Sequence, residues 1–172
     1  MNSYDVIGNV VILKFPRGTS KSEKLKFAKE ILKTHKNVRT VLEKKDKVRG
    51  RLRTIKTGYI AGEKTKIAEY TENGCKFRFD VDETYFSPRL SNERKEIAEQ
   101  IRKGERVFVS FAGVGPFPII IAKLSKAKEI YSNEINRKAS KFAEQNVKLN
   151  RAWNVYVIQG DIKKVVPKLV KE

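Results

Sequence analysis

The chain is poor in cysteine and histidine, and this shortage excludes several classes of protein. Its 172 residues include one cysteine, Cys75, and one histidine, so no internal disulfide can form and a structural zinc site lacks ligands. We therefore expect a reducing, cytoplasmic environment and no bound metal. No apolar run reaches the length of a membrane span and no signal peptide leads the chain, so we expect no membrane association.

Acidic residues are also scarce relative to basic ones. Lysine and arginine number 38 against 20 aspartates and glutamates, which gives a formal charge of +18 and a pI near 10.0. A field of this sign attracts polyanions, and nucleic acid is the default partner. Enrichment in lysine and glutamate also marks heat-adapted proteins, although the two signs are then matched, and both interpretations can hold together.

The first half of the sequence predicts a small α+β domain over residues 1–83 with a mostly antiparallel sheet. Its predicted elements are a strand within 6–13, a helix from Ser20 or Ser22 to about Thr34, a strand at 38–42, and strands at 67–70 and 75–81. The last two strands are joined by a turn at Asn73-Gly74. A basic stretch at 44–56 contains three apolar residues, Val48, Leu52 and Ile55.

The second half, residues 84–172, alternates strands with helices. A first helix, capped by Ser91 or Asn92, is predicted to run to about Arg102. Strands follow at 107–111, 128–133 and 153–158, and helices at 117–125, 136–149 and 162–170. This alternation predicts a parallel sheet with crossover helices. Three strands would leave one apolar sheet edge uncovered, so we expect a missing C-terminal half or a self-associating partner.

A glycine turn follows the first of these parallel strands. It reads Phe111-Ala112-Gly113-Val114-Gly115-Pro116-Phe117, and its two glycines allow a tight turn and close approach of a ligand to the backbone. Glu134 ends the second strand and Asp161 follows the third, at the edge where such sheets bind ligands. The two carboxylates suit ribose hydroxyls and the exocyclic amine of adenine. Acids at helix N-termini, stabilised by the helix dipole, are the less favoured interpretation of the same two residues.

The turn favours one cofactor over others. Pro118 occupies the position of the third glycine in a dinucleotide fingerprint, and no phosphate-binding Gly-Lys-Ser follows. Pro116 and Phe117 offer apolar surface rather than a phosphate cradle. The pattern therefore favours S-adenosylmethionine, which carries no phosphate, over NAD or ATP.

Three groups of motifs resemble those of the archaeal and eukaryotic tRNA (guanine-37) N1-methyltransferases. They are Tyr85-Phe86-Ser87-Pro88-Arg89-Leu90 with Glu93-Arg94, the glycine turn at 111–117, and Asn133-Glu134-Ile135-Asn136 with Asn146-Val147-Lys148-Leu149-Asn150 and Gly160-Asp161. Stretches at 35–38 and 73–75 also resemble the domain that precedes the catalytic fold in that family. The resemblance implies an α/β protein, in which the small α+β domain is followed by a partial Rossmann-like S-adenosylmethionine-dependent methyltransferase domain.

The resemblance also implies a reaction, the methylation of N1 of guanosine 37 in tRNA. It makes Glu93 the general base, Arg53 the cation at guanine O6, and Arg51 and Arg89 contacts to the nucleic acid. The implied cofactor-binding residues are Arg94, Phe111, Gly113, Gly115, Glu134, Ile135, Asp161 and Ile162. Without the resemblance, Glu93 would be interpreted as the acid of a capping box and Arg53 as a solvated cation.

The chain departs from the family pattern in several places. Val109 stands where members carry an acid, and Arg137 stands where they carry a proline. We expect the family's later Asn-Leu-Pro motif and its elbow-binding N-terminal domain to lie outside this sequence. Two alternative functions stay open: a non-catalytic, basic RNA-binding module derived from the family, and a wyosine-pathway transferase of the same fold.

Overall fold

The computed structural model describes residues 3–46 and 50–169, which form two compact units. One unit comprises the residues up to Tyr70 together with Asp80–Glu83, and the other comprises Thr71–Phe79 and the residues from Thr84 onwards. The boundary expected at residue 83 stays a prediction. Val48 and residue 170, which were assigned to the basic stretch and to the last helix, lie outside the described residues.

The first unit contains a four-stranded sheet with one helix packed on it. Its elements are β1 (Ser3–Ile7), β2 (Val10–Lys14), α1 (Lys21–Thr34), β3 (Thr40–Lys44) and β4 (Thr57–Gly62). The strand order is β1-β2-β3-β4, with β2 and β3 parallel and the other two pairs antiparallel. Ser20 caps α1 in a capping box with Glu23, which confirms the first of the two predicted caps.

One prediction about this unit is wrong and one strand is missed, and glycine is the reason for both. The run at 6–13 forms two strands, because Gly8 has a φ of +58° and reverses the chain between them. A side chain there would collide with the carbonyl of Glu69, which lies 1.8 Å from the ideal Cβ position. The sequence also fails to predict β4, because Gly58 and Gly62 dilute its apolar pattern.

The remaining elements confirm the predicted alternation of strands and helices. They are β5 (Ile67–Glu72), β6 (Cys75–Asp80), a 3₁₀ turn (Pro88–Leu90), α2 (Ser91–Gln100), β7 (Arg106–Ser110), α3 (Pro116–Leu124), β8 (Glu129–Glu134), α4 (Arg137–Asn150), β9 (Val155–Gln159) and α5 (Ile162–Leu169). β5 and β6 pair around Asn73-Gly74, and β7, β8 and β9 form a parallel sheet in that order.

The start of α2 differs from the prediction. The helix continues directly from the 3₁₀ turn, so its N-cap is Leu90 rather than Ser91 or Asn92. Leu90 has no side-chain oxygen, and a capping box therefore cannot account for Glu93. The helix ends at Gln100, two residues before the predicted end.

The parallel sheet has one buried face and one partly exposed face. Ile130 is fully buried, and α3 and α4 pack on β8 and β9. On the opposite face Phe108, Tyr131 and Tyr156 are aligned, and the two tyrosine rings stack with their centroids 5.6 Å apart. Within the described ranges no strand pairs with the outer edge of β7. The expected further half or partner stays a prediction.

The described residues carry no candidate for a membrane span or a metal cluster, and the single cysteine is buried. No helix within 3–46 or 50–169 is long and apolar enough to cross a membrane. In the same ranges no group of histidine, cysteine or carboxylate side chains could hold a metal ion. Burial raises the pKa of the Cys75 thiol, so its reactive thiolate form is disfavoured.

Ser132 tests what a buried hydroxyl without a hydrogen-bond partner costs in stability. Its side chain is fully buried in β8, and its hydroxyl has no hydrogen-bond partner among the residues the structure describes. We expect Ser132→Ala to raise the free energy of unfolding by about 1 kcal/mol in urea, because it removes an unsatisfied polar group. In the control Ser140→Ala the lost hydroxyl donates to the Asn136 carbonyl at 3.2 Å, so we expect destabilisation. Equal destabilisation of both variants would contradict the prediction.

Candidate functional site

Asn133 and Glu134 donate and accept the hydrogen bonds that join the carboxyl ends of the three parallel strands. The carbonyl of Asn133 accepts from the N–H of Ala112 at 2.9 Å. The buried Asn133 amide donates to the carbonyls of Ile158 and Gly160 at 3.0 and 3.1 Å. Because these bonds run from β8 to both of its neighbours, they fix the edge at which parallel sheets bind ligands.

The Glu134 carboxylate is bonded to the glycine turn. Its Oε2 accepts from the N–H of Gly113 at 2.8 Å, and its Oε1 accepts from the N–H of Asn136 at 2.7 Å. The Glu134 carbonyl accepts from the N–H of Gly160 at 2.9 Å. The structure thus brings Glu134 and Gly113 together. A carboxylate accepts several hydrogen bonds, so these two leave capacity for ligand hydroxyls.

The glycine turn has left-handed backbone at three positions. Phe111, Gly113 and Gly115 have φ values of 56°, 58° and 87°. A Cβ at Gly115 would lie 3.2 Å from the Ile119 side chain and 3.4 Å from that of Ala143, so the turn packs closely there. Phe111 is not a glycine, and it keeps this strained conformation with 72% of the residue exposed.

The start of α3 is a poor phosphate site. Pro116 and Pro118 occupy two of its first three positions, and proline has no N–H. The N–H of Ile119 is already bonded to the Gly115 carbonyl at 3.1 Å. Phosphates bind helix N-termini through free N–H groups, and few are left here. The donors at this edge therefore fit S-adenosylmethionine better than NAD or ATP.

Two asparagines of α4 bind the backbone of β6. Asn150 accepts from the N–H of Lys76 at 2.7 Å and donates to its carbonyl at 2.6 Å. Asn146, fully buried, accepts from the N–H of Arg78 at 2.8 Å and donates to the carbonyl of Val114 at 3.0 Å. Four helical residues rise about 6 Å, close to the advance of two strand residues, so the spacings match. Asn146 thereby ties the glycine turn to β6.

The other predicted cofactor residues lie beside the ends of β8 and β9. The Oδ1 of Asp161 accepts from the N–H of Lys163 at 3.0 Å, which is the geometry of a helix N-terminal acid. Ile162 begins α5 and is half-buried. Ile135 follows β8, and its carbonyl accepts from the Gln159 amide at 3.2 Å. Direct cofactor contacts by these residues stay predictions.

Glu93 and Arg94 have different surroundings although they are neighbours on α2. Glu93 is exposed. Arg94 is buried, with its guanidinium paired to Glu72 at 2.5 and 2.7 Å. The predicted contact of Arg94 with the cofactor stays a prediction, but its charge is already paired within the second unit.

The three remaining predicted arginines are exposed. Arg51 and Arg53 lie in a turn that precedes β4, and the N–H of Arg53 donates to the Gly50 carbonyl at 3.2 Å. Arg53 has a φ of 53°, which is uncommon for a side chain of its size. Arg89 lies in the 3₁₀ turn. Arg51 and Arg53 belong to the first unit, and Arg89 belongs to the second.

Sequence reasoning missed the roles of Glu72, Asn73, Asn133 and Asn146. The four-residue spacing of Asn146 and Asn150 was a usable signal, because two amides one helical turn apart on a buried face need a common partner. Glu72 is a single acid beside an Asn-Gly turn and carries no such signal.

Two models of known protein families match the sequence of this chain. A model described as "TRM5/TYW2 methyltransferase domain" matches residues 68–172. A second, described as "TYW2 N-terminal domain", matches residues 1–65. Together they cover almost all of the sequence.

Curated relatives from two archaea are similar to nearly the whole chain. The tRNA (guanine(37)-N(1))-methyltransferase Trm5b of Pyrococcus abyssi is 42% identical over 168 residues, which are 95% of this chain and 48% of the relative. The tRNA (guanine(37)-N(1))/4-demethylwyosine(37)-methyltransferase Taw22 of Nanoarchaeum equitans is 42% identical over 92% of this chain and 52% of its own length. The chain thus spans about half the length of these relatives.

Solved structures confirm the predicted fold class. A complex of aTrm5 with tRNALeu superposes with a TM-score of 0.86 at 32% identity, over 95% of this chain and 48% of that one. The TYW2 of P. horikoshii in complex with MeSAdo gives a TM-score of 0.74 at 26% identity, over 92% and 55% of the two chains. The chain therefore has the α/β fold of S-adenosylmethionine-dependent methyltransferases.

The two asparagines of α4 give a matched pair of variants. Asn146→Ala leaves the Val114 carbonyl and the Arg78 N–H without their partner in a buried place, so we expect a loss of about 2–4 kcal/mol in unfolding free energy. Its affinity for S-adenosylmethionine in calorimetry should also fall. Asn150→Ala, half-buried and without a bond to the turn, should cost less than about 1 kcal/mol and keep the affinity. Equal affinities of the two variants would contradict the role given to Asn146.

Proposed function

The chain belongs to the TRM5/TYW2 methyltransferase family, and from this membership we propose that it methylates N1 of guanosine 37 in tRNA. The observation that carries the proposal is the carboxyl edge of the parallel sheet, where Glu134 bonds to Gly113 beside a helix start with few phosphate donors. The chain spans about half the length of its curated relatives. Methyl transfer to tRNA, which is the activity named for those longer proteins, is therefore proposed for this chain.

The cofactor would lie over the carboxyl ends of β7, β8 and β9. Glu134 would bind the ribose hydroxyls through its remaining acceptor capacity, and Asp161 would accept from the adenine amine. Phe111, Gly113, Gly115, Ile135 and Ile162 would provide the surrounding backbone and apolar surface. When bound, S-adenosylmethionine supplies an electrophilic methyl group on a positively charged sulfur.

The chemistry of guanine N1 requires a base. N1 carries a proton that must leave as the N1–methyl bond forms and the sulfur–methyl bond breaks, and the exposed Glu93 carboxylate would accept that proton. Negative charge then develops on guanine O6, and Arg53 would stabilise it. The target base must leave its stack to react, as in other enzymes that modify bases.

The charge of the chain supports a tRNA substrate. A formal charge of +18 favours binding to a phosphate backbone, and such binding should weaken steeply as salt rises. The exposed Arg51 and Arg89 would contact that backbone. The relative named as a complex of aTrm5 with tRNALeu supports this partner.

A second candidate is methylation of 4-demethylwyosine at the same position. Residues 1–65 match the TYW2 N-terminal domain, and the name of the N. equitans relative gives both substrates. The Ser87-Pro88-Arg89 run and Glu93, which resemble the motif of the guanosine-37 N1-methyltransferases, favour simple methyl transfer to guanosine. A non-catalytic RNA-binding module is the remaining alternative.

Transfer of a methyl group from labelled S-adenosylmethionine tests the proposal. We would assay this chain, and a chimera in which it replaces the matching part of the P. abyssi relative, on tRNA carrying either guanosine 37 or 4-demethylwyosine, with the unmodified relative as positive control. Label in 1-methylguanosine from either protein is the expected result. Label in the wyosine substrate alone would support the second candidate, and tRNA binding without transfer by either protein would reject catalysis.

Glu93→Gln tests the proposed base. We expect the rate of methyl transfer to fall by roughly 10²–10⁴-fold, because the amide cannot accept the proton, while S-adenosylmethionine affinity stays unchanged. Glu96→Gln is the matched control, since Glu96 is an exposed carboxylate on the same helix. Single-turnover rates measure both variants. Equal rates for the two would exclude Glu93 as the base.

A further inference from the structure

Arg94 is a charged side chain buried inside the second unit. Only 1% of the side chain is exposed, and its Nε and Nη2 donate to the two carboxylate oxygens of Glu72 at 2.5 and 2.7 Å. Nη2 also donates to the carbonyl of Ser87 at 3.0 Å. Bidentate pairing of this kind fixes the orientation of both side chains as well as their separation.

Two aromatic rings complete the surroundings of the guanidinium. Its central carbon lies 5.2 Å from the ring centroid of Phe86 and 5.6 Å from that of Phe117. Phe86 in turn stacks on Phe79 of β6 at 4.6 Å. A cation over an aromatic face is stabilised most where water is excluded. Arg94 therefore contacts the end of β5, the segment before α2 and the start of α3.

A second contact holds the first turn of α2 to the same hairpin. The side-chain amide of Asn73 donates to the carbonyl of Ser91 at 3.1 Å and to its hydroxyl at 3.3 Å. Ser91 is the first residue of α2, and Asn73 follows Glu72 directly. The hairpin thus holds the start of α2 through two adjacent residues.

The position of Glu93 depends on these contacts. Successive residues of a helix point about 100° apart, so the buried Arg94 and the exposed Glu93 lie on different faces of the same turn. Any shift or rotation of that turn moves the Glu93 carboxylate. Phe117, which contacts Arg94, is the last residue of the glycine turn, so the same contacts relate α2 to the cofactor edge.

A contribution to folding stability is a weak explanation for the buried ion pair between Arg94 and Glu72. Removing two charges from water carries a large penalty, and apolar side chains of similar size often serve at least as well. Apolar side chains, however, cannot provide the directional bonds that Arg94 makes to Glu72 and Ser87.

We propose that Glu72 is a positioning residue for methyl transfer, which holds Arg94 and through it fixes the first turn of α2 and the Glu93 carboxylate relative to the glycine turn. The inference rests on the proposed function of Glu93. It gives Arg94 the same positioning role in place of a contact with the cofactor.

Glu72→Gln tests the inference, with Glu69→Gln as its matched control. Glu69 lies on the same strand and pairs with Arg39 at 2.7 Å, but both of those side chains are about half exposed. Hydrogen–deuterium exchange of the amides at the start of α2 reports whether the turn is held, and it needs no catalysis. Single-turnover methyl transfer and the Kd for S-adenosylmethionine, in the chain or the chimera described above, separate orientation from cofactor binding.

We expect Glu72→Gln to raise exchange at the start of α2 by at least about tenfold, through local opening. The transfer rate should fall by about 100-fold with little change in Kd, because a small misplacement of a reacting group is enough. Glu69→Gln should match the unsubstituted protein in all three measurements. The double variant Glu72→Met with Arg94→Met should recover thermal stability but not the transfer rate.

The inference is overturned if folded Glu72→Gln keeps the original exchange and transfer rate, or if the double variant recovers the rate together with the stability. If the unsubstituted proteins transfer no methyl group, the proposed function fails, and exchange at the start of α2 alone decides whether Glu72 holds that turn. The two failures therefore give different results.

Discussion

The hydrogen bonds of Asn133 and Glu134 hold the carboxyl edge of the parallel sheet together, and the candidate cofactor residues depend on them. Asn133 spans from β8 to β9 through its buried amide, and Glu134 holds the glycine turn through Gly113. That turn contains left-handed backbone, including the strained Phe111, which needs such external bonds to persist. The carboxylate expected to bind ribose therefore shapes the site before any ligand arrives.

The hairpin of β5 and β6 is the second element that organises the site. Two buried polar side chains, each from a different helix, contact both this hairpin and the glycine turn. Asn146 of α4 joins Arg78 to the carbonyl of Val114, and Arg94 of α2 joins Glu72 to the ring of Phe117. Buried polar groups that are fully satisfied specify one arrangement rather than many. The motifs shared with the family are thus a set of mutually dependent contacts and not separate signals.

Much of the fold could be predicted from local patterns of apolar residues and glycines. The contacts between residues far apart in the sequence could not. The alternation of strands and helices after residue 104 follows from short periodic runs, and the positions of Gly113 and Glu134 follow from the alternation. The start of α2 could not be predicted, because a 3₁₀ turn replaces a side-chain cap there. Glu72 and Asn146 bond to groups 22 and 32 residues away, and a local pattern carries no information about such pairs.

The central claim is that this carboxyl edge binds S-adenosylmethionine and excludes nucleotides that depend on a phosphate cradle. Calorimetric titration of the chain with S-adenosylmethionine and with NAD, before and after Glu134→Gln, tests it most directly. The account predicts saturable binding of S-adenosylmethionine with one site per chain, a marked loss of affinity in the variant, and no binding of NAD. Binding of NAD at the same site, or S-adenosylmethionine binding that is indifferent to Glu134, would contradict it.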